Sequence, residues 1–185
     1  MKKLFVTFII CCISLGINAQ VEHMKFMGIT MNCSIGEFQN QLSRKGVKYD
    51  AKASRKMPDA CRCFKGTFSG EKADIFVYYN AKTKVVYRAK AVIPCPTKDL
   101  GQQMFDTFRD MLKTKYSDQV ATDTDFEGNP AMSILVTDSK IEYTMGFVNL
   151  YISSPYSFMD EVYLHVDYKD SLNEQYNENR NMDDL

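Results

Sequence analysis

The sequence has few of the residues that catalysis and metal binding usually require. It contains no tryptophan and only two histidines, His23 and His165. It has no G-x-S-x-G, no H-E-x-x-H, no P-loop and no G-x-G-x-x-G motif. No serine, cysteine or acid can be assigned as a partner of His165, so we predict an exposed structural histidine there. We therefore expect no catalytic residue, no metal site and no cofactor, and an enzyme is the less favoured class.

The chain also has no net charge, because 23 Lys and Arg residues balance 23 Asp and Glu residues. A neutral chain gives no electrostatic reason to expect a nucleic acid or an anionic membrane as a partner. Beyond residue 19 no apolar run is long enough to span a membrane, so we predict no transmembrane segment there. A protein or peptide is the partner class that these absences leave.

The first 19 residues have the pattern of a secretory signal peptide. Lys2 and Lys3 precede an apolar run from Leu4 to Leu15, and Ala19 supplies a small residue before a cleavage point. The run is too short to cross about 30 Å of hydrocarbon, which argues against a membrane anchor. We predict cleavage after Ala19 and export to the periplasm or the extracellular space. The remaining 166 residues (185 − 19) would carry a net charge of −2 (21 − 23).

Cleavage after residue 19 would remove two of the six cysteines and leave Cys33, Cys61, Cys63 and Cys95. An even number of cysteines in an exported chain predicts two disulfides, with three connectivities. Cys61 and Cys63 would lie on one strand face with Cα atoms ~6.6–6.8 Å apart, at the edge of what a disulfide accepts. We favour pairing each of them with a different distant cysteine. The alternative is a Cys33–Cys95 bridge, which would leave Cys61 and Cys63 as a dithiol or a strained, reducible bridge.

Two segments have the capping residues and the apolar spacing of helices. Ser34 and Glu37 form a capping box, and a helix over residues 35–45 follows it. Thr97 is a candidate N-cap for a second helix over residues 98–116. Its apolar stripe is predicted to contain Leu100, Met104, Phe105, Phe108, Met111 and Leu112.

Alternating apolar and polar residues predict two groups of three antiparallel strands. The first group covers residues 61–68, 73–79 and 85–93. The second covers residues 132–136, 141–152 and 162–168, with a bulge at Gly146 where the alternation changes face. Polar segments at residues 47–60 and 117–129 are predicted to be loops, and residues 171–185 a disordered tail.

The order of these elements predicts an α+β fold. A helix followed by three strands occurs twice, which suggests two αβββ units over residues 24–93 and 97–168. We expect these units to form one domain over residues 20–170, and their strands could pair into one continuous sheet.

Aromatic and cationic residues are the best lead to function. Phe76, Tyr78, Arg88 and Lys90 share one face of the first strand group, and a second set surrounds the loop before the last strand: Tyr151, Tyr156, Phe158 and Met159. Tyrosine and arginine are enriched at protein interfaces because each gives a large contact area with a polar group. The alternative is that a second layer of the fold buries these side chains.

One part of the chain resembles known proteins. The segments Phe26–Phe38, Leu42–Gly46 and Phe64–Gly70 resemble small exported proteins of uncharacterised function from anaerobic Gram-negative bacteria. The likeness covers about the first third of the chain after residue 19, and its motifs are a cap, a helix stop and a strand glycine, so no functional residue carries over. The order αβββ-αβββ also resembles that of the beta-lactamase inhibitor proteins, in topology alone.

Together these observations predict an exported, non-catalytic binding module for a protein or peptide. The alternative is a thiol-redox protein or another small envelope enzyme that uses Cys61 and Cys63. A structural subunit of a surface assembly is a third hypothesis.

Overall fold

The computed structural model describes residues 22–138, 143–154 and 161–175. It confirms the predicted α+β class. The elements in chain order are β1 (Lys25–Phe26), β2 (Ile29–Thr30), α1 (Ile35–Arg44), β3 (Lys48–Tyr49), α2 (Ala51–Ser54), β4 (Cys61–Phe68), β5 (Glu71–Tyr79), β6 (Val86–Cys95), α3 (Lys98–Lys115), β7 (Val120–Phe126), β8 (Asn129–Asp138), β9 (Tyr143–Ser153) and β10 (Val162–Asp170). Strands β1 and β2 form a small hairpin, and the other eight strands form one antiparallel sheet.

The strand order of the large sheet is β3-β4-β5-β6-β10-β9-β8-β7. The last strand, β10, lies in the middle and pairs with β6 on one side and β9 on the other. The two predicted strand groups therefore form one continuous sheet. The division into two αβββ units is wrong, because four strands follow α3 and two short elements lie between α1 and β4.

The longest strand that the sequence did not predict is β7, which lies at the edge of the sheet. All seven of its residues are exposed, and its sequence, VATDTDF, has threonine and aspartate where a half-buried strand has apolar residues. Edge strands commonly carry charged side chains, which discourage pairing with other chains. The loop predicted over residues 117–129 was wrong for this reason, since hydrophobic alternation cannot reveal a strand that buries neither face.

A second correction concerns the loop predicted over residues 47–60. This segment contains β3 and α2, and both lie along the outer edge of β4 and form hydrogen bonds with its backbone. The Asp50 side chain caps α2 by accepting a hydrogen bond from Ala53 N at 2.8 Å. Asp50 N donates to Cys63 O at 2.9 Å, and Cys63 N donates to Ser54 Oγ at 2.8 Å. The segment thus satisfies backbone groups of β4 that would otherwise be unpaired.

Both predicted long helices are confirmed to within one residue. Ser34 Oγ accepts a hydrogen bond from Glu37 N at 3.2 Å, and Thr97 Oγ1 accepts one from Leu100 N at 3.2 Å. In α1 the buried side chains are Ile35, Phe38 and Leu42. The buried stripe of α3 is rotated from the predicted one and contains Gly101, Phe105, Phe108 and Leu112. Leu100 and Met111 of the predicted stripe are instead 41% and 50% exposed.

The hydrophobic core lies between these helices and one face of the sheet. Alternate residues of the central strands point into it, among them Ile75, Val77, Ala91, Leu164 and Val166. The β1–β2 hairpin closes one end of this layer, where Phe26 stacks on Phe68 with ring centres 5.3 Å apart. We call this side of the sheet the helix-covered face.

A buried carboxylate ties the two ends of the described chain together. Asp170 is fully buried and accepts hydrogen bonds from Met24 N at 2.9 Å and Asn173 N at 3.0 Å, and it contacts His23 Nδ1 at 3.1 Å. Residues 171–175 form a helical turn, in which the Asn173 side chain donates to Val86 O at 3.0 Å. The tail predicted to be disordered from residue 171 therefore begins with a helical turn, and residues 176–185 lie outside the described residues.

The predicted bulge in β9 is present. Thr144 pairs with Thr137 and Gly146 with Val136, so Met145 is the extra residue. Gly146 faces the core, and an added Cβ would overlap the carbonyl oxygen of Lys169 and press on the Met24 side chain. Only glycine allows β9 and β10 to approach this closely at the bulge.

We therefore predict that Gly146→Ala lowers the free energy of unfolding by about 2 kcal/mol or more, as overpacking against backbone does. Gly36→Ala is the matched control. Its Cβ would lie 3.9 Å from Ser34 Oγ in the first turn of α1, so it should be neutral or stabilise the protein by up to about 1 kcal/mol. Urea unfolding measures both variants. Equal stability of the two variants would contradict the proposed close approach.

Candidate functional site

The face of the sheet opposite the helices is the candidate site. Neither α1 nor α3 packs on it, because the buried side chains of both helices belong to the core on the other face. We call it the open face. Its central side chains come from five adjacent strands: Cys61, Cys63, Asp74, Phe76, Tyr78, Arg88, Lys90, Val92, His165, Asp167, Lys169, Phe147, Asn149 and Tyr151.

The strand register brings the predicted candidates of both halves onto this face. Phe76 lies opposite Lys90, Lys90 opposite Asp167, and Asp167 opposite Asn149. Tyr151, from the second strand group, lies opposite His165 one step further along. From β5 to β9 is three strand spacings, or about 14 Å. Phe76, Tyr78, Arg88, Lys90 and Tyr151 are all half-buried, so solvent reaches each of them.

An ion pair fixes the centre of the open face. Arg88 Nε donates to both carboxylate oxygens of Asp167, at 2.9 and 3.1 Å, and Arg88 Nη2 also donates to this carboxylate. The Asp167 side chain is 3% exposed and the Arg88 side chain 28%. The hydrogen bonds to Asp167 raise the pKa of Arg88 above its ordinary value. The guanidinium also lies 5.0 Å from the centre of the Tyr78 ring, so Arg88 is held between an anion and an aromatic ring.

Lys90 is a cation without such a partner. Its ammonium lies 5.7 Å from the centre of the Phe76 ring, and it forms no ion pair with any described residue. Burial, together with the charge of Arg88, lowers the pKa of Lys90, while Asp167 partly opposes this shift. An ammonium on a half-buried side chain beside an aromatic ring is poorly solvated, so a carboxylate brought by a partner would be favourable here.

Aromatic rings continue across the second half of the open face. The Tyr151 and His165 rings are stacked with centres 4.5 Å apart and planes 4° from parallel. Phe126 of the edge strand reaches over Ala131 and contacts Tyr151 with ring centres 4.7 Å apart. A groove of about 280 Å³ lies between these rings and the Arg88–Asp167 pair. Sequence reasoning missed Phe126 because it lies on the unrecognised strand β7.

His165 is buried, not exposed as predicted, because β10 is a central strand. Its Nε2 lies 2.7 Å from Ser153 Oγ, while its Nδ1 has no hydrogen-bond partner among the described residues. Burial, with Lys90 and Arg88 nearby, lowers the pKa of His165 to about 4. A catalytic Ser–His pair needs an acceptor that orients Nδ1. The closest carboxylate along the strand, Asp167, is bound to Arg88, so none of the described residues supplies the third member of a triad.

The predicted disulfides are not formed. All four described cysteines carry free thiols. Cys95 is buried on the helix-covered face, where its Sγ lies 3.5 Å from Met104 Sδ, whereas Cys61 and Cys63 point to the open face. Cys33 lies beside the start of β6, since Val86 N donates to Cys33 O at 3.0 Å. Cys95 is nine residues further along that strand, or about 30 Å away, so the alternative Cys33–Cys95 bridge is excluded as well.

Cys61 and Cys63 do not have the environment of reactive thiols. Both are buried, at 6% and 1% exposure. Burial, with Asp74 and Asp50 nearby, raises the pKa of Cys63 to about 11, and burial also raises the pKa of Cys61. Reactive cysteines have lowered pKa values and accessible sulfur atoms. Both thiols therefore act as small apolar groups at the edge of the open face.

Three candidates for the interaction surface lie outside the described residues: Tyr156, Phe158 and Met159.

The described residues contain no group of three or more His, Cys, Asp or Glu side chains that could hold a metal ion. Among the described helices, none is long and apolar enough to cross a membrane.

The raised pKa of Cys63 predicts slow alkylation. With a pKa of about 11, roughly one thiol in a thousand is ionised at pH 8, against about one in four for an ordinary cysteine. In native protein, iodoacetamide should modify Cys61 and Cys63 at least tenfold more slowly than in protein unfolded in urea. Peptide mass spectrometry measures both rates. Fast alkylation of the pair in native protein would support the thiol-redox alternative.

The lowered pKa of His165 predicts a pH-dependent stability. The unfolded state binds a proton as the pH falls below about 6.5, while folded His165 binds one only near pH 4. The contribution of neutral His165 to the free energy of unfolding is therefore complete above pH 6.5. As the pH falls from 6.5 to 4, the protein loses up to about 3 kcal/mol of this free energy. His165→Gln cannot titrate, so its unfolding free energy should fall less over this interval. Urea unfolding at a series of pH values measures this free energy. If it falls as steeply with pH in His165→Gln as in the unmodified protein, the lowered pKa of His165 is contradicted.

Comparisons with known proteins do not add to this picture. No family model matches the sequence, no curated protein matches it, and no solved structure matches the fold.

Proposed function

We propose that this chain is a non-catalytic binding module that recognises a protein or peptide through the open face. The observation that supports this most is the position of Phe76, Tyr78, Arg88, Lys90 and Tyr151. Residues from both halves of the sequence come together on one face, and no described helix covers them. Aromatic and arginine side chains of this kind supply most of the binding energy at protein interfaces.

The size of the open face suits a macromolecular partner better than a small ligand. The seven strands from β4 to β7 are separated by six spacings of about 4.8 Å, which with a strand length of roughly 25 Å give an area on the order of 700 Å². A standard protein interface buries about 800 Å² on each partner. The groove of about 280 Å³ is by contrast just below the range of about 300–1,000 Å³ that is typical of small-molecule sites. A flat, mixed aromatic and polar surface of this size favours recognition of a protein surface or an extended peptide.

The charges on the open face indicate the chemistry of the partner. Asp167 binds Nε and Nη2 of Arg88, whereas Lys90 forms no ion pair with a carboxylate among the described residues. An acidic side chain of the partner would neutralise Lys90, and apolar or aromatic side chains beside it would pack on Phe76 and Tyr151. We therefore propose a partner segment with an aspartate or glutamate flanked by apolar residues.

The other hypotheses have less support. The burial and raised pKa values of Cys61 and Cys63 disfavour a thiol-redox enzyme. No contact in the described residues favours a subunit of a surface assembly. Export to the periplasm or the extracellular space remains part of the proposal, and it rests on the signal-like pattern of residues 1–19, which lie outside the described residues.

Selection from a random peptide library tests the proposed recognition. Peptides selected on the purified protein should be enriched in acidic residues next to apolar ones. Lys90→Glu places a like charge against the acidic residue, and Tyr151→Ala removes a ring from the face. Each substitution should weaken binding of the selected peptides by roughly tenfold or more, because central aromatic and charged contacts are typically worth about 2 kcal/mol. Fluorescence anisotropy measures the affinities.

Lys52→Gln is the matched control, because it removes an exposed lysine of α2 that is not part of the open face. Its affinity for the selected peptides should equal that of the unmodified protein. Selected peptides that bind Lys90→Glu and Tyr151→Ala as tightly as the control would overturn the assignment of this face.

A further inference from the structure

A second concave site lies on the helix-covered side of the molecule. It is a cavity of about 490 Å³ between the second half of α3, the β1–β2 turn, the end of α1 and the β4–β5 turn. We call it the α3 pocket and define it by Met27, Lys45, Phe68, Phe108, Met111 and Lys115. The open face is formed by the other side of the sheet, so the two sites do not share a residue.

The wall of the α3 pocket is apolar and well supported. Phe68 stacks on Phe108 with ring centres 6.2 Å apart, and on its other side it stacks on Phe26. Phe68 and Phe108 are buried to 7% and 5% exposure, so the rings are held by the core. Met111, which belonged to the predicted core stripe of α3, is 50% exposed and lies at the pocket instead. Flexible methionines adapt to the shape of an apolar ligand.

Two cations also line the pocket. Lys45 follows the last residue of α1, and Lys115 ends α3. Both are exposed, and neither forms an ion pair with a described residue. The Lys115 ammonium lies 5.4 Å from the centre of the Tyr168 ring, which lines the same pocket. A lysine at a helix C-terminus is explained by the helix dipole. The Lys115 ammonium also lies 4.9 Å from the centre of the Tyr116 ring. The dipole does not account for the presence of both lysines in the lining of one apolar cavity.

We propose that the α3 pocket binds a single-chain amphipathic anion, of which a medium-chain fatty acid is the simplest example. The hydrocarbon chain would lie against Phe68, Phe108 and Met111, and the carboxylate would contact Lys45 and Lys115. The volume is within the range of about 300–1,000 Å³ that is typical of small-molecule sites. An apolar wall with a few converging charges is also the usual composition of such sites. The site is independent of the proposed open-face function.

Isothermal titration calorimetry with decanoate tests the inference on the purified protein. Decanoate should bind, and the double variant Lys45→Gln/Lys115→Gln should bind it roughly three- to thirty-fold more weakly, as expected for two exposed ion pairs. Met111→Glu places a carboxylate at the pocket and should abolish detectable binding. All three positions are exposed, so the variants should fold. Lys52→Gln, which removes a lysine away from the pocket, should leave the affinity unchanged.

The charge of the ligand separates a specific site from a merely apolar surface. Decanol has the same chain without the carboxylate, and decyltrimethylammonium has a cation in its place, so both should bind more weakly than decanoate. Tyr151→Ala on the open face should leave decanoate affinity unchanged. Equal affinity for decanoate and decanol, unaltered affinity of the double lysine variant, or no binding of decanoate would each overturn the proposal.

Discussion

The structure depends on the pairing of β6 with β10. Eight residue pairs join these strands, and they are the only strand contact between the two halves of the described sheet. Without this pairing the first strand group and the second would each have an unpaired edge. The helix layer also depends on it, because Gly101 of α3 packs closely over Val162 and Cys95, a directly opposed pair. An added Cβ at Gly101 would overlap Val162, so α3 lies directly over the junction of the two halves.

The same junction fixes the chemistry of the open face. Arg88 and Asp167 lie diagonally across it, while Lys90 is directly opposite Asp167. The carboxylate nevertheless binds Arg88, whose planar fork donates two parallel hydrogen bonds that an ammonium cannot match. Lys90 consequently forms no ion pair with a described residue, and its ammonium lies over the Phe76 ring. A half-buried cation without an ion pair stabilises the fold little. A partner that supplies a carboxylate would give Lys90 the ion pair that the described fold does not.

The sequence was sufficient to locate those helices and strands that carry two independent sequence signals. A cap together with helical spacing located α1 and α3, and alternation bounded by turns located β4, β5, β6 and β10. Helices and strands that carry one such sequence signal, or none, were not predicted. Strand β7 has no apolar alternation because it is an exposed edge, and α2 has only four residues and buries none of them.

The candidate site was predictable in its residues but not in its assembly. The faces of Phe76 and Arg88 followed from period-two alternation, whereas their proximity to Tyr151 required knowledge that β10 pairs with β6. The cysteines show the same limit. Their even number predicted bridges, but strand alternation places Cys95 on one side of the sheet and Cys63 on the other. Counting residues carries no information about which side of a sheet each one occupies.

The composition of the open face remains the feature that needs a functional explanation. An antiparallel sheet with helices on one side usually has mainly polar residues on the other. Here Phe126 and Phe147 are 39% and 36% exposed, and further rings lie between them and β5. Charged side chains divide these rings, and the edge strands are short or acidic, which limits association through the sheet edges. Tyr151 contacts both Phe126 and His165, and no described helix covers these rings. Clustered rings beside arginine and lysine have the composition that is enriched at protein interfaces, which is the reason for proposing a binding function.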